Sequence, residues 1–454
     1  MCIRLPENTP SSVQQPKMAS HRGHLPHRPH RGKGFQRACR ITRYLYTIFP
    51  SAQGRTGAAP LTGPGRFRCD NIPDMIEKPD ETTSPLMREA IARAGLESIH
   101  RKVVEGTRLS GDDGLRLFAC PDINAVGHLA NIVRERKNGN LCYFVRNQHI
   151  NYTNVCNKDC KFCAFYVRVN DPAGYTLSPE DIRRRVEEQI HEPITEIHMV
   201  AGINPRLPYA YYLDIIRAVK SARPGVMVKA YTMIEIAEIV RVAKKPLDEV
   251  WAELKDVGLD SLPGGGAEVL SDRVHAELFN LKQTPDEWLE MARSAHRAGL
   301  RSNATMLYGH IETHAERVDH LLRLREVQDD TGGFLTYIPL AFHPENTELS
   351  HLPHTTGIDD LKQIAIARLM LDNFDHIKSF WIMVSPQISQ TSLWYGADDI
   401  DGTILREEIT HAAGARTPQG LTRSQLVRLI EEAGRVPVER DPLYRAVATE
   451  EAAA

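Results

Sequence analysis

Three cysteines spaced C-x3-C-x2-C, Cys156, Cys160 and Cys163 in NVCNKDCKFCAF, are the residues whose type and spacing most directly imply chemistry. Thiolates on so short a loop converge on one soft centre, either zinc or an iron–sulfur cluster. The ligand count separates the two. A structural zinc needs a fourth protein ligand, which His149 or Cys142 would have to supply, whereas a four-iron cluster on three cysteines leaves one iron open to a small chelating ligand. The spacing favours the cluster and leaves zinc as the alternative. Cys2, Cys39, Cys69, Cys120 and Cys142 show no ligand spacing. Grouped cysteines in a chain with no secretory signal read as metal or redox groups in a reducing cytoplasm rather than as disulfides.

The elements that must hold this loop are legible from residue 143 onward, where short β-rich runs alternate with helical patterns. Expected strands are Phe144–Tyr152, Thr195–Val200, Val226–Tyr231, Leu259–Leu262, Ser302–Leu307, Leu335–Ala341 and Ile377–Val384, with helices near 179–190, 209–222, 247–257, 285–298, 314–328 and 358–373. Helix starts are marked by Ser178-Pro179 and by capping boxes at Thr284–Glu287 and Thr313–Glu316; Gly258 and Gly299 mark helix ends. Strand, helix, strand, repeated with short connections, calls for parallel strands and right-handed crossovers. The fold class is therefore α/β, a (β/α) barrel of the TIM type. A doubly wound sheet is the alternative, but no glycine-rich phosphate turn follows the first strand. A barrel places its chemistry in the loops after the C-terminal strand ends, which is where the cysteines fall.

Residues 75–142 read as a helical lead-in, 143–384 as the barrel, and 385–454 as an extension whose capped helix after Thr422 closes one mouth, with a fraying tail after Tyr444. Residues 1–74 differ in kind: twelve Lys/Arg face three Asp/Glu, while the remainder is acidic. Rich in Pro, Gly, Ser, His and Arg, this segment reads as a disordered basic extension or an over-extended start before Met75. His21, His24, His27 and His30 recur every third residue, but Pro26 and Pro29 forbid the helix that would align them for a metal. With 42% apolar and 25% charged residues over 454 positions, the chain is an ordinary soluble globular protein rather than a fibrous or disulfide-stapled one. No apolar run is long enough to span a membrane.

The cysteine motif, with Phe162 just before the third cysteine on the first strand of a barrel, resembles the radical S-adenosylmethionine superfamily. The segments HINYTNVC (149–156), VAGINPRLP (200–208), KAYTMIEI (229–236), GLDSLPGGGAE (258–268), RSNATMLYGHIET (301–313), GGFLTYIPLAFHPENT (332–347) and GADDIDGTI (396–404) together resemble the aminodeoxyfutalosine synthases of the futalosine route to menaquinone, over about residues 75–445. The resemblance implies one [4Fe-4S] cluster on Cys156, Cys160 and Cys163, and S-adenosylmethionine as cosubstrate chelating the open iron. It implies a transferase reaction in which the 5′-deoxyadenosyl radical adds to 3-[(1-carboxyvinyl)oxy]benzoate to give 6-amino-6-deoxyfutalosine. A small-molecule substrate and a reducing partner such as flavodoxin or ferredoxin follow; a nucleic acid or membrane partner does not. A sister activity, of the dehypoxanthine futalosine cyclase or deazaflavin synthase type, is one alternative, and a non-enzymatic zinc or electron-transfer module is another. Two departures stand out: the family's Gly-Gly-type segment reads Ala201-Gly202, and Asn204 replaces the usual His before Pro205.

Barrel topology nominates further residues. His310 and His343 follow the fifth and sixth strands and are candidates for substrate or cofactor contact, with a hydrogen bond at the strand end as the plainer alternative. Arg206 follows the second strand and can clamp a carboxylate, unless it is a solvated loop arginine. Lys229, inside the third strand, needs either a carboxylate or an anionic ligand. Ala201 and Gly202 are expected at the methionine end of the cofactor, and Gly264, Gly265 and Gly266 offer exposed amides for ligand contact or form a plain turn. Glu235, Glu268 and Glu312 can take ribose hydroxyls or the methionine ammonium, or cap helices. Asn303 is placed near the adenosyl group, and Phe162 shields the cluster, touches adenine or simply packs.

Overall fold

The computed structural model describes residues 83–447; the basic segment 1–74, with its histidines, and the last tail residues lie outside them. The lead-in is four helices, Pro85–Arg93, Glu97–Glu105, Gly111–Ala119 and Ile123–Asn138. Three begin at side-chain caps, Ser84, Ser110 and Asp122.

Ten strands follow: β1 Leu141–Val145, β2 Asn147–Ile150, β3 Glu196–Met199, β4 Met227–Ala230, β5 Leu259–Leu262, β6 Arg301–Tyr308, β7 Phe334–Ala341, β8 His376–Ile377, β9 Asp399–Gly402 and β10 Val436–Glu439. Strands β2 to β8 form one seven-stranded parallel sheet in sequence order, curled into a partial barrel with helices outside. Both faces of such a sheet are covered, so β6 is buried along its length after Arg301. The capping boxes at Ser178, Thr284, Thr313 and Thr422 are all present. Gly258 and Gly299 take the positive φ that ends a helix, at +105° and +84°.

Four expectations are corrected. The run 144–152 is not one strand, because it is divided between two sheets: β1 pairs with β9 and β10, and β2 pairs with β3. The run 377–384 gives a two-residue strand and a short helix, Trp381–Val384, whose Trp381 indole donates to the Gly402 carbonyl at 3.0 Å. A continuous apolar run looks the same whether it is buried as strand or helix. Within the barrel two helices were not foreseen, Met233–Ala243 and Asp272–Leu278, the first because its sequence is apolar on nearly every face.

The C-terminal extension does more than cap a mouth. It supplies β9, which lies between the end of β8 and the β1–β2 run: Lys378 bridges Asp399, the Ser379 amide donates to Asp399 at 2.8 Å, and the Asn147 amide donates to the Thr403 hydroxyl at 3.0 Å. The helix Arg423–Glu432 leads into β10 on the far side of β1. Arg440, just after β10, pairs with Asp399 at 2.6 Å with both side chains fully buried. Among the described residues no helix is long and apolar enough to cross a membrane.

Candidate active site

The cysteine loop leaves β2 and is held from two sides. The segment after β3 pairs with it: Gly202 donates to the Thr153 carbonyl at 2.9 Å, and the Asn157 amide to the Ile203 carbonyl at 2.9 Å. A Cβ at residue 202 would sit 2.4 Å from the Val155 carbonyl oxygen, so glycine there is required by the approach of the two loops. On the other side the Lys161 amide donates to Leu278 at 3.0 Å, at the end of the helix Asp272–Leu278.

The sulfurs themselves are prepared as metal ligands. Cys156 Sγ accepts backbone N–H groups from Ile203 at 3.2 Å and Lys158 at 3.4 Å, and the amides of Phe165 and Tyr166 face Cys163. Such N–H donors are the usual outer shell of a bound thiolate. Burial pushes the Cys160 thiol up to about 12 and raises Cys163 as well, so a metal's charge is needed to deprotonate them. Of the two possible fourth zinc ligands, Cys142 is fully buried in β1, in the other sheet, and does not line the cavity, whereas His149 does.

That cavity, of about 350 Å³, opens inside the barrel at the C-terminal strand ends and is lined by all three cysteines. Phe162, Ala201, Gly202, Gly264, Gly265, Gly266, Asn303 and His343 line it too, so the structure brings these expected site residues together. Gly264 is fixed by packing: a Cβ there would lie 2.6 Å from Asn303 backbone, and its carbonyl accepts from Thr305 at 2.7 Å. Asn303 is 2% exposed, and its amide oxygen is buried without a partner. Leu307, Ile338, Leu340, Phe342 and Phe380 form the apolar wall.

Its floor is polar. His149 and His198, opposite each other in β2 and β3, stack at 4.5 Å, and Lys378 adds a nearly buried ammonium paired with Asp401 at 3.0 Å. Burial, His198 and the nearby ammoniums hold His149 well below the usual histidine range, which keeps it neutral. Beneath them Lys229 meets Glu196 at 2.8 Å with both side chains at most 2% exposed. Glu196 sits well below the ordinary carboxylate range despite its burial, because Lys229 and His198 face it, so this pair is ionised. Near the cysteines, Lys282 contacts the rings of Phe162 at 5.1 Å and Phe279 at 5.6 Å and pairs with Glu268.

Five expected residues do not reach the cavity. Lys229 found a protein carboxylate. Arg206 is exposed and bonds Asn170. His310 is turned under its own loop by Gly309: Nε2 donates to the Leu307 carbonyl at 3.1 Å, Nδ1 accepts from Ile311 at 2.7 Å, and the side chain is fully buried. Glu235 stands behind the wall, accepting from Tyr152 at 2.6 Å, from the Ala201 amide at 3.2 Å and from Thr232 at 2.7 Å. It positions the Ala201-Gly202 segment rather than touching a ligand, and burial pushes it up to about 7. Glu312 is likewise structural, accepting from Gly309 and pairing with Arg317 at 2.8 Å. Asn204 donates to the Thr176 hydroxyl at 3.2 Å, in the loop between β2 and the helix Pro179–Glu187. His198, Lys378 and Lys282 were missed; inward-facing polar residues at β2 and β3 positions were the available signal for His198, while Lys282 lies in a loop without pattern.

Comparison with known proteins decides the superfamily. Residues 150–324 match the radical SAM superfamily and 331–452 the CofH/MqnC C-terminal region. The aminodeoxyfutalosine synthase of Thermus thermophilus is 48% identical over 353 residues, 77% of this chain and 95% of the relative. The chain belongs to the radical S-adenosylmethionine superfamily. Membership brings a [4Fe-4S] cluster and S-adenosylmethionine, and Cys156, Cys160 and Cys163 are the side chains placed to hold the first. Another radical SAM relative, the cyclic dehypoxanthine futalosine synthase of Halalkalibacterium halodurans, is 35% identical over 355 residues, 78% of this chain and 95% of its own. The FeFe-hydrogenase maturase HydG of Carboxydothermus hydrogenoformans shares the fold, with TM-score 0.60 at 18% identity over 81% of this chain and 84% of that one. This radical SAM chain is an enzyme acting on a small molecule.

Proposed function

We propose that the protein is an aminodeoxyfutalosine synthase of menaquinone biosynthesis, joining the 5′-deoxyadenosyl unit of S-adenosylmethionine to 3-[(1-carboxyvinyl)oxy]benzoate. The products are 6-amino-6-deoxyfutalosine, methionine, and bicarbonate or carbon dioxide. The observation that carries this reading is 48% identity across 95% of a synthase of that name. When bound, a single [4Fe-4S] cluster, reduced by a donor such as flavodoxin or ferredoxin in the cytoplasm, would supply the electron that splits S-adenosylmethionine into methionine and the adenosyl radical.

This chain's residues do the rest. Leu307, Ile338, Leu340 and Phe380 exclude water around the reacting carbons, and Asn303 offers its unpaired amide oxygen to a ribose hydroxyl or the ammonium of the cosubstrate. His149, His198 and Lys378 at the floor pair a substrate carboxylate, with Asp401 holding the ammonium in place. Gly202 and Glu235 keep the cofactor-side loop in register with the cysteines.

The test is anaerobic reconstitution, then S-adenosylmethionine, a reductant and the enolpyruvyl benzoate, with products followed by mass spectrometry. Aminodeoxyfutalosine containing the adenosyl carbons is expected. Free 5′-deoxyadenosine without that mass, from a fully loaded cluster, would overturn the assignment in favour of a hydrogen-abstracting sister activity.

A further inference from the structure

Outside the cysteine site, one group of side chains has its donors gathered as a metal ion requires. His343 and Glu345 lie on the loop after β7, and His354 lies further along that loop; their donor atoms fall within 4.8 Å of one another. His343 Nε2 is 2.9 Å from the Met383 carbonyl, a bond only an N–H can make, so Nδ1 is left with the lone pair. Nδ1 is buried and has no partner. Glu345 is in the same position: one oxygen meets His354 Nε2 at 2.6 Å, and the other, Oε2, is buried without a donor. Two buried acceptors in one cluster, with no protein donor facing either, are placed to take a cation.

The surroundings hold these atoms still. A Cβ at Gly414, whose φ is +94°, would lie 2.7 Å from Glu345 Cβ, so the C-terminal segment runs directly against the carboxylate. Asn346 ties the same loop to the Ala412 carbonyl at 2.9 Å. The bond from His343 to a backbone carbonyl is the outer-shell contact that fixes a ligating imidazole. Two imidazoles and one carboxylate suit zinc better than calcium or magnesium, which prefer oxygen throughout, and three protein ligands leave a coordination position for water. His354 is half exposed, which gives an ion a path from solvent.

We propose that His343, Glu345 and His354 bind one zinc-class divalent ion at the rim of the cavity, independently of the cysteine site and of which substrate the enzyme takes. The ion fastens the β7 loop, which carries the cavity-lining His343, against residues 409–414.

The test uses the full chain with its cluster reconstituted. Zinc is titrated against a chromogenic chelator, iron and zinc are counted in the same sample, and the thermal midpoint is followed. Expected are one zinc per chain with iron unchanged, a midpoint raised by zinc, and at least a roughly tenfold loss of zinc affinity in both Glu345→Gln and His354→Ala. His354→Ala removes a solvent-facing side chain, so it remains informative should Glu345→Gln fold poorly. Zinc bound equally well by His354→Ala, zinc taken up only as iron is lost, or no zinc retained against the chelator would each overturn the proposal.

Discussion

At Cys156, Cys160 and Cys163 the chemistry depends on single atoms, and single substitutions resolve it. Alanine at any of the three is expected to abolish the cluster's iron content and visible absorption, whereas Cys142→Ala, in the other sheet, leaves both intact. Lys282 and Glu268 form a pair with opposite expected signs. An ammonium near the thiolates favours the more negative, reduced cluster, and the carboxylate opposes it. Lys282→Met should lower the reduced fraction at fixed potential by up to about tenfold, which is 59 mV for one electron, and Glu268→Gln should raise it; an EPR-monitored redox titration reads both. The cysteines were legible because their spacing is local. His310 was not, because the direction of a side chain past a strand end is set by the turn, here Gly309, and Lys282 reaches the site only through the placement of a loop.

At the scale of elements, the barrel strands carry charge inside. Lys229→Met leaves Glu196 buried without its partner and should cost roughly 3–5 kcal/mol of stability, most of it recovered when Glu196 is also made apolar; chemical unfolding of the two variants measures this. Glu235, at the start of the helix Met233–Ala243, gives a pH dependence. Its acid form is favoured in the fold, with the value raised from 4.5 to about 7, so its contribution is present below pH 4.5 and is lost as pH rises through about 7. The loss is at most about 3 kcal/mol. Unfolding at pH 5 and pH 8 should show this slope in the parent and not in Glu235→Gln. Alternation and caps made the strand and helix order readable. The division of 144–152 between two sheets was not readable, because pairing partners nearly 300 residues away decide it.

Taken whole, the barrel is completed by the C-terminal extension. Ending the chain at Gly434 removes β10 and Arg440, bares one edge of β1 and leaves the fully buried Asp399 unpaired. Such a truncation should lower soluble yield and the unfolding midpoint more than loss of an edge strand alone would, because the buried Asp399 loses its partner Arg440 as well. The same arrangement bears on how the protein is made. The ribosome finishes all seven strands of the curled sheet before it reaches residue 399, so the nascent enzyme has an unsealed flank until nearly its last tenth is synthesised. An incomplete product carries the cysteine loop beside an open strand edge, a row of unpaired backbone groups on which another chain can pair.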